Sequence, residues 1–193
     1  MKRMEEMIIR VVPVGMIRTN CYVLYLPERS DCLVIDPGAE PAKILKQTDG
    51  RNVAAILFTH GHFDHIGGTD GLMGKYTRVY IHREDAPMLQ DAELNASSYL
   101  VQEGAVGPAA TNLVEDGDEI REAGITLKVI HTPGHTRGSV CFLCGDYLFS
   151  GDTVMSMGIG RTDLPTGSDE DMENSLKLLR PYFGKYHILG GHG

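Results

Sequence analysis

The sequence predicts an α+β fold in which mixed or antiparallel β-sheets are flanked by helices, in a layered αββα arrangement. Short β-rich runs dominate the first and middle portions of the chain, and segments with helical patterns fall between them. Neighbouring strands are joined by connections that are too short for the crossovers of a purely parallel sheet. With 193 residues, the chain is expected to form a single domain over residues 1–193 with a substantial core.

The strands are predicted from apolar runs that end at turn residues. Proline and glycine separate these runs, as at Pro13, Gly15, Pro27 and the pair 37–38. The runs predict strands at residues 8–14, 21–26, 32–35, 54–59, 78–81, 125–130, 140–143, 147–149 and 186–189.

Four helices are predicted between these strands. Pro41 suits the first turn of a helix that ends at the turn 49–50, and two more helices are expected at 68–76 and 83–89. The last helix has the strongest signals. It starts at Ser168, which can cap the helix N-terminus together with Asp171, and it stops at Pro181. Its apolar stripe comprises Met172, Leu176 and Leu179.

Residues 90–112 lose clear periodicity, and Gly104, Gly107 and Pro108 mark the segment as irregular or only locally helical. A long irregular segment is a candidate lid or substrate loop. A surface insertion without a role is an equal alternative. If the segment is a substrate loop, deleting part of it is expected to change substrate preference more than metal content.

The charge balance argues against several classes of partner. The chain has 26 Asp and Glu residues against 18 Lys and Arg residues, so the positive surface that nucleic acids and anionic membranes require is not expected. No apolar run approaches the length of about 18 residues that a membrane span needs. The N-terminal residues lack the apolar region of a signal peptide. A cytoplasmic protein that acts on a small molecule is therefore expected, and the oligomeric state stays open.

Four cysteines lie within or beside predicted strands, at Cys21, Cys32, Cys141 and Cys144. In a reducing compartment such residues are expected to be small buried hydrophobes. The spacing of Cys141 and Cys144 also suits a redox or zinc pair, but an offset of three in a strand points the two side chains to opposite faces. The structural interpretation is therefore preferred.

The stretch from Thr59 to His65 concentrates metal-binding chemistry. It places His60, His62, Asp64 and His65 directly after the apolar run 54–58. Imidazole nitrogens and carboxylate oxygens are ligands that suit zinc, manganese or non-haem iron. Histidines at i, i+2 and i+5 do not share one helical face. We therefore expect a loop that directs its side chains toward more than one centre.

Two centres require further ligands, and four strand ends supply metal-competent side chains. Each of these side chains lies beside glycine, which allows a tight turn or a close approach of the backbone. They are His60 after strand 54–59, His135 after 125–130, Asp152 after 147–149 and His192 after 188–189. The occurrence of a metal-competent side chain at each of four strand ends predicts a metal site at one edge of a sheet.

These residues carry a family resemblance. The ordered set from His60 to His192 resembles the complete signature of the metallo-β-lactamase-fold hydrolases. The segments 59–62, 131–136, 150–153 and 160–163 resemble most closely the glyoxalase II-like branch, which contains the hydroxyacylglutathione hydrolases. The similarity covers nearly the whole chain, and it implies an αββα sandwich of two mixed β-sheets with the metal site at one edge.

The resemblance also implies how the ligands divide between two divalent metal ions. Zinc is the preferred metal, with iron or manganese as alternatives. Such a pair of ions can lower the pKa of bridging water to about 7 and supply hydroxide for attack on a carbonyl. Asp64 and Asp152 are the predicted catalytic carboxylates. The implied sets are His60, His62 and His135 on one ion, Asp64, His65 and His192 on the other, and Asp152 bridging.

Several residues near these ligands have more than one interpretation. In glyoxalase II-like enzymes a basic residue near Arg161 contacts substrate, so Arg161 could recognise an anionic thioester or could brace its loop with Asp163. Asp36 is expected to cap the turn at 37–38 rather than to act in catalysis. His131 either supports a ligand or packs.

The sequence departs from glyoxalase II proper in two respects. It has no counterpart of the C-terminal helical domain that helps to bind glutathione. It also ends one residue after His192, so the chain end that carries this last ligand is expected to fray. The second metal site is therefore expected to be less fully occupied than the first.

The leading functional hypothesis is a metal-dependent hydrolase of small thioesters. The alternative is an iron-dependent persulfide dioxygenase of the same fold, with iron held by the equivalents of His60, His135 and Asp152. Residues 164–167 resemble the hydrolase branch more closely. A non-enzymatic metal-binding module is disfavoured because every ligand is present, whereas lactam hydrolysis and nuclease activity rest on fold analogy alone.

Overall fold

A computed structural model describes residues 7–101 and 104–193 of the chain, in which two mixed β-sheets are flanked by helices. This arrangement confirms the predicted fold class. The first sheet contains six strands that are neighbours in chain order, joined by two antiparallel pairings followed by three parallel ones. The strands are β1 (Ile8–Val14), β2 (Thr19–Tyr25), β3 (Asp31–Ile35), β4 (Asn52–Leu57), β5 (Arg78–His82) and β6 (Asn112–Val114).

The second sheet contains five strands. Four of them form an antiparallel meander, and the last strand joins its edge in parallel. The strands are β7 (Glu119–Glu122), β8 (Ile125–His131), β9 (Val140–Cys144), β10 (Tyr147–Gly151) and β11 (His187–Gly190).

The main core lies between the two sheets. Leu33 and Leu57 of the first sheet share one buried apolar cluster with Leu127 and Phe142 of the second. Side chains alternate between faces along each strand, so the residue before Leu57, Ile56, belongs to a different cluster on the outer face of the first sheet. The central strands are therefore apolar on both faces, as the sequence of β4 requires.

Helices cover the two outer faces. The first outer cluster includes Ile44 of α1 (Pro41–Leu45) and Ile66 of α2 (Phe63–Ile66). After α3 (Ser97–Leu100), the last helix α4 (Asp169–Leu179) places Leu179 in the second outer cluster. None of the helices in the described ranges has the length and apolar character that a bilayer crossing demands.

Helix α4 forms as its sequence predicts. The Ser168 side chain accepts a hydrogen bond from the amide of Asp171 at 3.2 Å, which confirms the predicted cap. Met172 and Leu179 are buried, whereas Leu176 is only partly buried and Ser175 takes its place in the interface. The Ser175 hydroxyl donates to the carbonyl of Pro133 at 2.6 Å, so the helix is tied to the loop that carries His135.

One predicted helix is wrong, and a second differs in type and bounds. Instead of a helix at 68–76, the chain forms α2 earlier and then a single 3₁₀ turn, Asp70–Leu72. Glycines explain the difference, because Gly68 donates to the Pro37 carbonyl at 2.7 Å and a Cβ on Gly71 would overlap the ring of Pro41. The helix predicted at 83–89 is a 3₁₀ helix, Ala86–Gln90.

Strands β6 and β7 were not predicted from the apolar pattern. Both are short, and β7 contains a single fully buried residue, Ile120, so its apolar signal is weak. The described part of 90–112 forms α3 and lacks other regular structure between the 3₁₀ helix ending at Gln90 and β6, in agreement with the prediction of a locally helical segment.

All four cysteines are buried and unbridged, as predicted. Cys141 belongs to the cluster that includes Leu179 of α4, whereas Cys144 belongs to the cluster between the sheets. Their side chains therefore lie on opposite faces of β9, and a shared redox or zinc pair is excluded by this geometry.

Candidate metal centre

Four strand ends bring the predicted ligands together. His60 follows β4, His135 follows β8, Asp152 follows β10 and His192 follows β11. Backbone hydrogen bonds hold these ends side by side. The Val140 amide donates to the Thr59 carbonyl at 2.8 Å, and the Gly191 amide donates to the Gly151 carbonyl at 2.7 Å.

The first donor group contains three buried histidines. Ligand atoms of His60, His62 and His135 all lie within 4.8 Å of one another. His62 Nδ1 is 2.9 Å from His135 Nε2, and the His60 ring centroid lies 4.7 Å from that of His135. Three imidazoles converging in this way match a nitrogen-rich site for a divalent transition metal.

The second donor group contains Asp64, His65 and His192, whose ligand atoms also lie within 4.8 Å of one another. Asp64 Oδ2 is 3.3 Å from both His65 Nε2 and His192 Nε2. Thr19 fixes the carboxylate, because its hydroxyl donates to Asp64 Oδ2 at 2.6 Å. The last ligand is also held in place, with His192 Nδ1 lying 3.2 Å from the carbonyl oxygen of Ile17.

Asp152 lies between these two groups. Its Oδ2 is 3.5 Å from His135 Nε2 in the first group and 3.4 Å from His192 Nε2 in the second. Its Oδ1 is 3.5 Å from His65 Nε2. The structure thus brings all seven predicted ligands together in the predicted arrangement, while metal binding by each of them stays a prediction.

Several donor atoms of this cluster are buried without a hydrogen-bond partner in the described part of the chain. They include His60 Nε2, His62 Nε2, His65 Nε2 and Asp152 Oδ1. Buried polar atoms are normally paired, and unpaired ones carry a desolvation cost of about 1–3 kcal/mol each. Bound divalent ions would satisfy all four atoms, so the residues present fit a binuclear metal centre.

The first group favours neutral imidazoles. Burial, together with the neighbouring His135, lowers the pKa of His62 to about 3. Burial also lowers the pKa of His60 well below its usual value, aided by the surrounding imidazoles. Neutral imidazole is the form that binds a metal, so the first group is preorganised for an ion.

The second group behaves differently, because its histidines contact carboxylates. Burial opposes the charged form of His65, but Asp64, Asp36 and Asp152 outweigh it and raise the pKa to about 9. Burial likewise opposes charge on His192, and hydrogen bonds to Asp152 and Asp64 raise its pKa to about 10. An ion that enters this group must therefore displace protons.

Asp36 has a role that its sequence context did not predict. Rather than capping the turn with its side chain, it accepts hydrogen bonds from the Thr59 amide at 2.8 Å and the Thr59 hydroxyl at 2.6 Å. Its Oδ2 also lies 3.0 Å from His65 Nδ1. Asp36 therefore orients a predicted ligand, and its position directly after β3 was the available sequence signal.

Asp85 is a second buried carboxylate that the sequence did not reveal. It accepts hydrogen bonds from the Gly61 amide at 3.0 Å, the Thr136 hydroxyl at 2.6 Å and the Gly138 amide at 2.7 Å. Gly61 lies between His60 and His62, and Thr136 follows His135. Asp85 therefore ties together the two loops that carry the first donor group.

A cleft of about 330 Å³ opens onto these donors, and residues of both groups line it. A larger cleft of about 640 Å³ lies elsewhere, near Arg51 and Tyr76, and its lining contains none of the predicted ligands. The smaller cleft is therefore the candidate binding site, because reacting atoms must reach the donors.

Arg161 lines the same cleft and is exposed. It forms a two-pronged ion pair with Asp163, at 2.6 Å from Nε and 2.7 Å from the second nitrogen. Its backbone carbonyl lies 2.7 Å from His135 Nδ1. In the structure Arg161 therefore braces its loop through Asp163, whereas contact of Arg161 with a substrate stays a prediction.

His131 does not support His135 in the way one interpretation required. Its Nε2 lies 2.9 Å from the Arg137 carbonyl, and its ring stacks on His82 with centroids 4.1 Å apart and an interplanar angle of 11°. His131 and His82 are therefore packing residues beside the centre.

Residues 14–192, which include every predicted ligand, match the Metallo-beta-lactamase superfamily. The chain belongs to this superfamily. A probable metallo-hydrolase of Bacillus subtilis is 37% identical over 190 residues, covering 95% of this chain and 89% of the relative. A hydroxyacylglutathione hydrolase of Aeromonas hydrophila is 34% identical over 159 residues, covering 82% of this chain and 55% of the relative.

Solved structures agree with this family membership. The BLEG-1 B3 metallo-beta-lactamase is 33% identical, with a TM-score of 0.90 over 96% of this chain and 92% of that one. TTHA1623 in a di-iron-bound form is 34% identical, with a TM-score of 0.82 over 95% of this chain and 92% of that one. The second structure contains iron, so family membership alone leaves the metal unassigned.

Proposed function

We propose that the protein is a binuclear metal-dependent hydrolase of small thioesters, similar in reaction to hydroxyacylglutathione hydrolases. The observation that carries the proposal is the position of Asp152, whose two oxygens face ligands of both donor groups. A carboxylate placed in this way suits a bridge between two ions. The similarity to a hydroxyacylglutathione hydrolase supports the thioester as the reacting group.

Two divalent ions held by these residues would supply an acidified water and polarise a carbonyl oxygen. The chain itself holds the neutral imidazoles of the first group in place through Asp85 and orients His65 through Asp36. Thr19 holds the Asp64 carboxylate, which we propose orients the water. In the reaction, the water oxygen bonds to the acyl carbon, the carbon–sulfur bond breaks, and the thiol and a carboxylic acid are released.

Zinc is the metal that we propose, with iron and manganese as the alternatives. The support for zinc is the donor set, since imidazole and carboxylate ligands around an open position suit catalytic zinc. The di-iron form of TTHA1623 supports iron, and the same ligands accept either ion. Elemental analysis of protein purified without added metal distinguishes these choices.

The test combines metal content with activity. Protein purified without added metal is analysed for zinc, iron and manganese, and the same sample is assayed with S-lactoylglutathione and with a neutral acyl thioester. We expect close to two ions per chain together with thioester cleavage. Metal-replete protein that cleaves neither ester would refute the proposal, and cleavage of a β-lactam instead would assign a different hydrolase activity.

The second candidate is an iron-dependent persulfide dioxygenase. The similarity to ETHE1 from Myxococcus xanthus, which is 25% identical with a TM-score of 0.78 over 96% of this chain and 76% of that one, favours it. His60, His135 and Asp152 would form its two-histidine, one-carboxylate triad. One iron per chain, oxygen uptake on glutathione persulfide and no thioester cleavage would establish it. The complete second donor group of Asp64, His65 and His192 is the reason that we prefer the hydrolase.

We also propose that the protein acts in the cytoplasm on small molecules rather than on nucleic acids or membranes. The support is its net charge of −8, which opposes binding to polyanions. Fluorescence localisation of the tagged protein in its host, together with a DNA-binding assay at low salt, tests this part of the proposal.

A further inference from the structure

We propose that the substrate is a small thioester whose acyl and thiol portions are both uncharged and apolar, rather than a glutathione conjugate. The inference rests on the proposed function, because it names the substrate class of the same site. It is carried by the residues that surround the donors at the mouth of the cleft, by their charge and by the size of the cleft.

The mouth of the cleft is apolar. Ile17 from the β1–β2 turn and Leu100 from α3 line it, and they are 52% and 61% exposed. Met155 and Leu164, both partly buried, also contribute to its lining. Large apolar side chains that remain exposed around a polar centre mark a ligand-binding groove. These four residues therefore define an apolar rim around the metal centre.

The rim offers little to a charged substrate. Among the described lining residues, Arg161 is the single arginine or lysine, and its guanidinium forms a two-pronged ion pair with Asp163. The nearby Arg18 is exposed but does not line the cleft. An anionic group at the rim meets apolar side chains rather than a free cationic partner, so it gains no favourable charge contact there.

Glutathione carries its carboxylates and its ammonium group several bonds from the sulfur. With the thioester carbon at the donors, these charges would lie at or beyond the rim, where Ile17, Leu100 and Leu164 are placed. A neutral thiol such as an N-acylated cysteamine avoids this obstacle and can bury its chain against the rim.

The size of the cleft leads to the same class of substrate. A volume of about 330 Å³ lies near the lower end of the range of roughly 300–1,000 Å³ that is typical of ligand pockets. A short acyl thioester of N-acetylcysteamine is of this size, whereas a glutathione thioester is much larger and would leave most of its thiol portion in solvent.

The experiment compares matched esters on the metal-loaded protein. Acetyl, butanoyl and hexanoyl thioesters are prepared with N-acetylcysteamine and with glutathione, and thiol release gives kcat/KM for each. We expect kcat/KM for the butanoyl ester to be at least about tenfold higher with N-acetylcysteamine, a difference of about 1.4 kcal/mol. Binding of the corresponding uncleavable thioethers, measured by calorimetry, should show the same order without turnover.

A charge introduced at the rim tests the residues themselves. Ile17→Lys adds a cation beside the cleft and should shift the selectivity ratio toward the glutathione esters by about tenfold. Val11→Lys is the matched control, because Val11 is 50% exposed on β1 and does not line the cleft. The control should leave the ratio unchanged, since a distant surface charge contributes little at physiological salt.

The outcomes separate the two proposals. A preference for neutral esters that Ile17→Lys weakens and Val11→Lys does not would support the inference. Cleavage of both series with a preference for glutathione esters would overturn the inference and leave the thioester hydrolase intact. Failure of the metal-loaded protein to cleave any ester would overturn the proposed function and this inference with it.

Discussion

Asp36 Oδ2 lies 3.0 Å from His65 Nδ1, so the other ring nitrogen of His65 is the one that faces Asp64 and Asp152. The same carboxylate holds the amide and hydroxyl of Thr59, the residue before His60. One buried side chain therefore orients a ligand of the second donor group and fixes the start of the loop that carries the first.

Asp36→Asn is expected to weaken the second metal site more than the first. The amide keeps the shape of the side chain but loses the negative charge that supports His65, and loss of such supporting contacts typically costs about 10–100-fold in metal affinity. Metal content after dialysis should fall from about two ions per chain toward one. Asp49→Asn, at an exposed aspartate paired with Arg51, is the control, and equal metal retention in both variants would contradict the assignment.

Four ligands, His60, His135, Asp152 and His192, could be predicted because each follows an apolar run and lies beside glycine. The other three follow His60 within five residues, and the whole set has an order that the family shares. The supporting carboxylates could not be predicted in the same way. Asp36 contacts Thr59, 23 residues away, and Asp85 contacts Thr136 and Gly138, 51 and 53 residues away. The local context of Asp36, a proline and a glycine, indicates a turn, and its tertiary contacts override that signal.

The errors in secondary structure have a similar origin. The helix predicted at 68–76 fails because Gly68 and Gly71 pack against residues 37–41, a contact that no local pattern contains. Strand β7 escapes prediction because Glu119 and Arg121 face solvent and its pairing with β8 supplies the stabilisation. Long, strongly patterned elements such as α4 were predictable, since capping and apolar spacing agree there.

Asp85 should give the protein a distinctive pH dependence. Burial raises its pKa to about 6 despite the three groups that donate to it, whereas an unfolded aspartate titrates near 3.9. The folded state therefore binds more protons between about pH 4 and pH 6. The stability contributed by this carboxyl is fully present below about pH 4 and is lost as the pH rises through 6.

The side chain introduced by Asp85→Asn does not titrate, so comparing this variant with wild type isolates the contribution of the Asp85 carboxyl to the pH dependence of stability. From pH 4 to pH 7, the free energy of unfolding of wild type should fall relative to that of the variant by on the order of 2–3 kcal/mol. Urea unfolding of both proteins, stripped of metal and measured at several pH values, checks the prediction. Parallel stability curves for the two proteins would show that Asp85 titrates normally.

Asp152→Ala is expected to abolish hydrolysis and to leave the fold largely intact. The side chain contacts ligands of both donor groups, so its loss removes the proposed bridge, and we expect kcat to fall by at least about 100-fold. Circular dichroism and cooperative unfolding should remain close to wild type. Asp163→Ala, at an exposed carboxylate outside the donor groups, is the control, and full activity of metal-replete Asp152→Ala would refute the bridging role.

Gly191→Ala should disrupt the centre without adding charge. A Cβ at this position would overlap Asp152 Oδ1 and lie 2.8 Å from His65 Cε1, so two predicted ligands would have to move. Because misplacement of catalytic groups by about 1 Å can cost 100-fold in rate, both metal content and turnover should drop sharply. Gly107→Ala is the matched control, since its Cβ would meet Ile66 at an ordinary 3.6 Å. Similar effects of both substitutions would point to a general loss of stability.

Asn95 is expected to stabilise the segment 90–112 at the edge of the cleft. It is fully buried, it donates to the carbonyls of Met88 at 3.1 Å and Ala105 at 2.7 Å, and its side-chain oxygen accepts from the Ser97 amide at 2.9 Å. Its own carbonyl accepts from the amide of Phe63, the first residue of α2. The segment is therefore attached to the helix that carries Asp64 and His65.

Asn95→Ala should leave buried carbonyls unpaired, at a cost of about 1–3 kcal/mol for each group. We expect the free energy of unfolding to fall by about 2 kcal/mol or more in urea, and amide hydrogen exchange to accelerate in the segment and at the start of α2. Asn174→Ala, at an exposed position of α4, is the control and should be neutral or slightly stabilising because alanine favours helix. If Asn95→Ala destabilises by less than about 0.5 kcal/mol, the size of an ordinary surface substitution, the segment is not held by this residue.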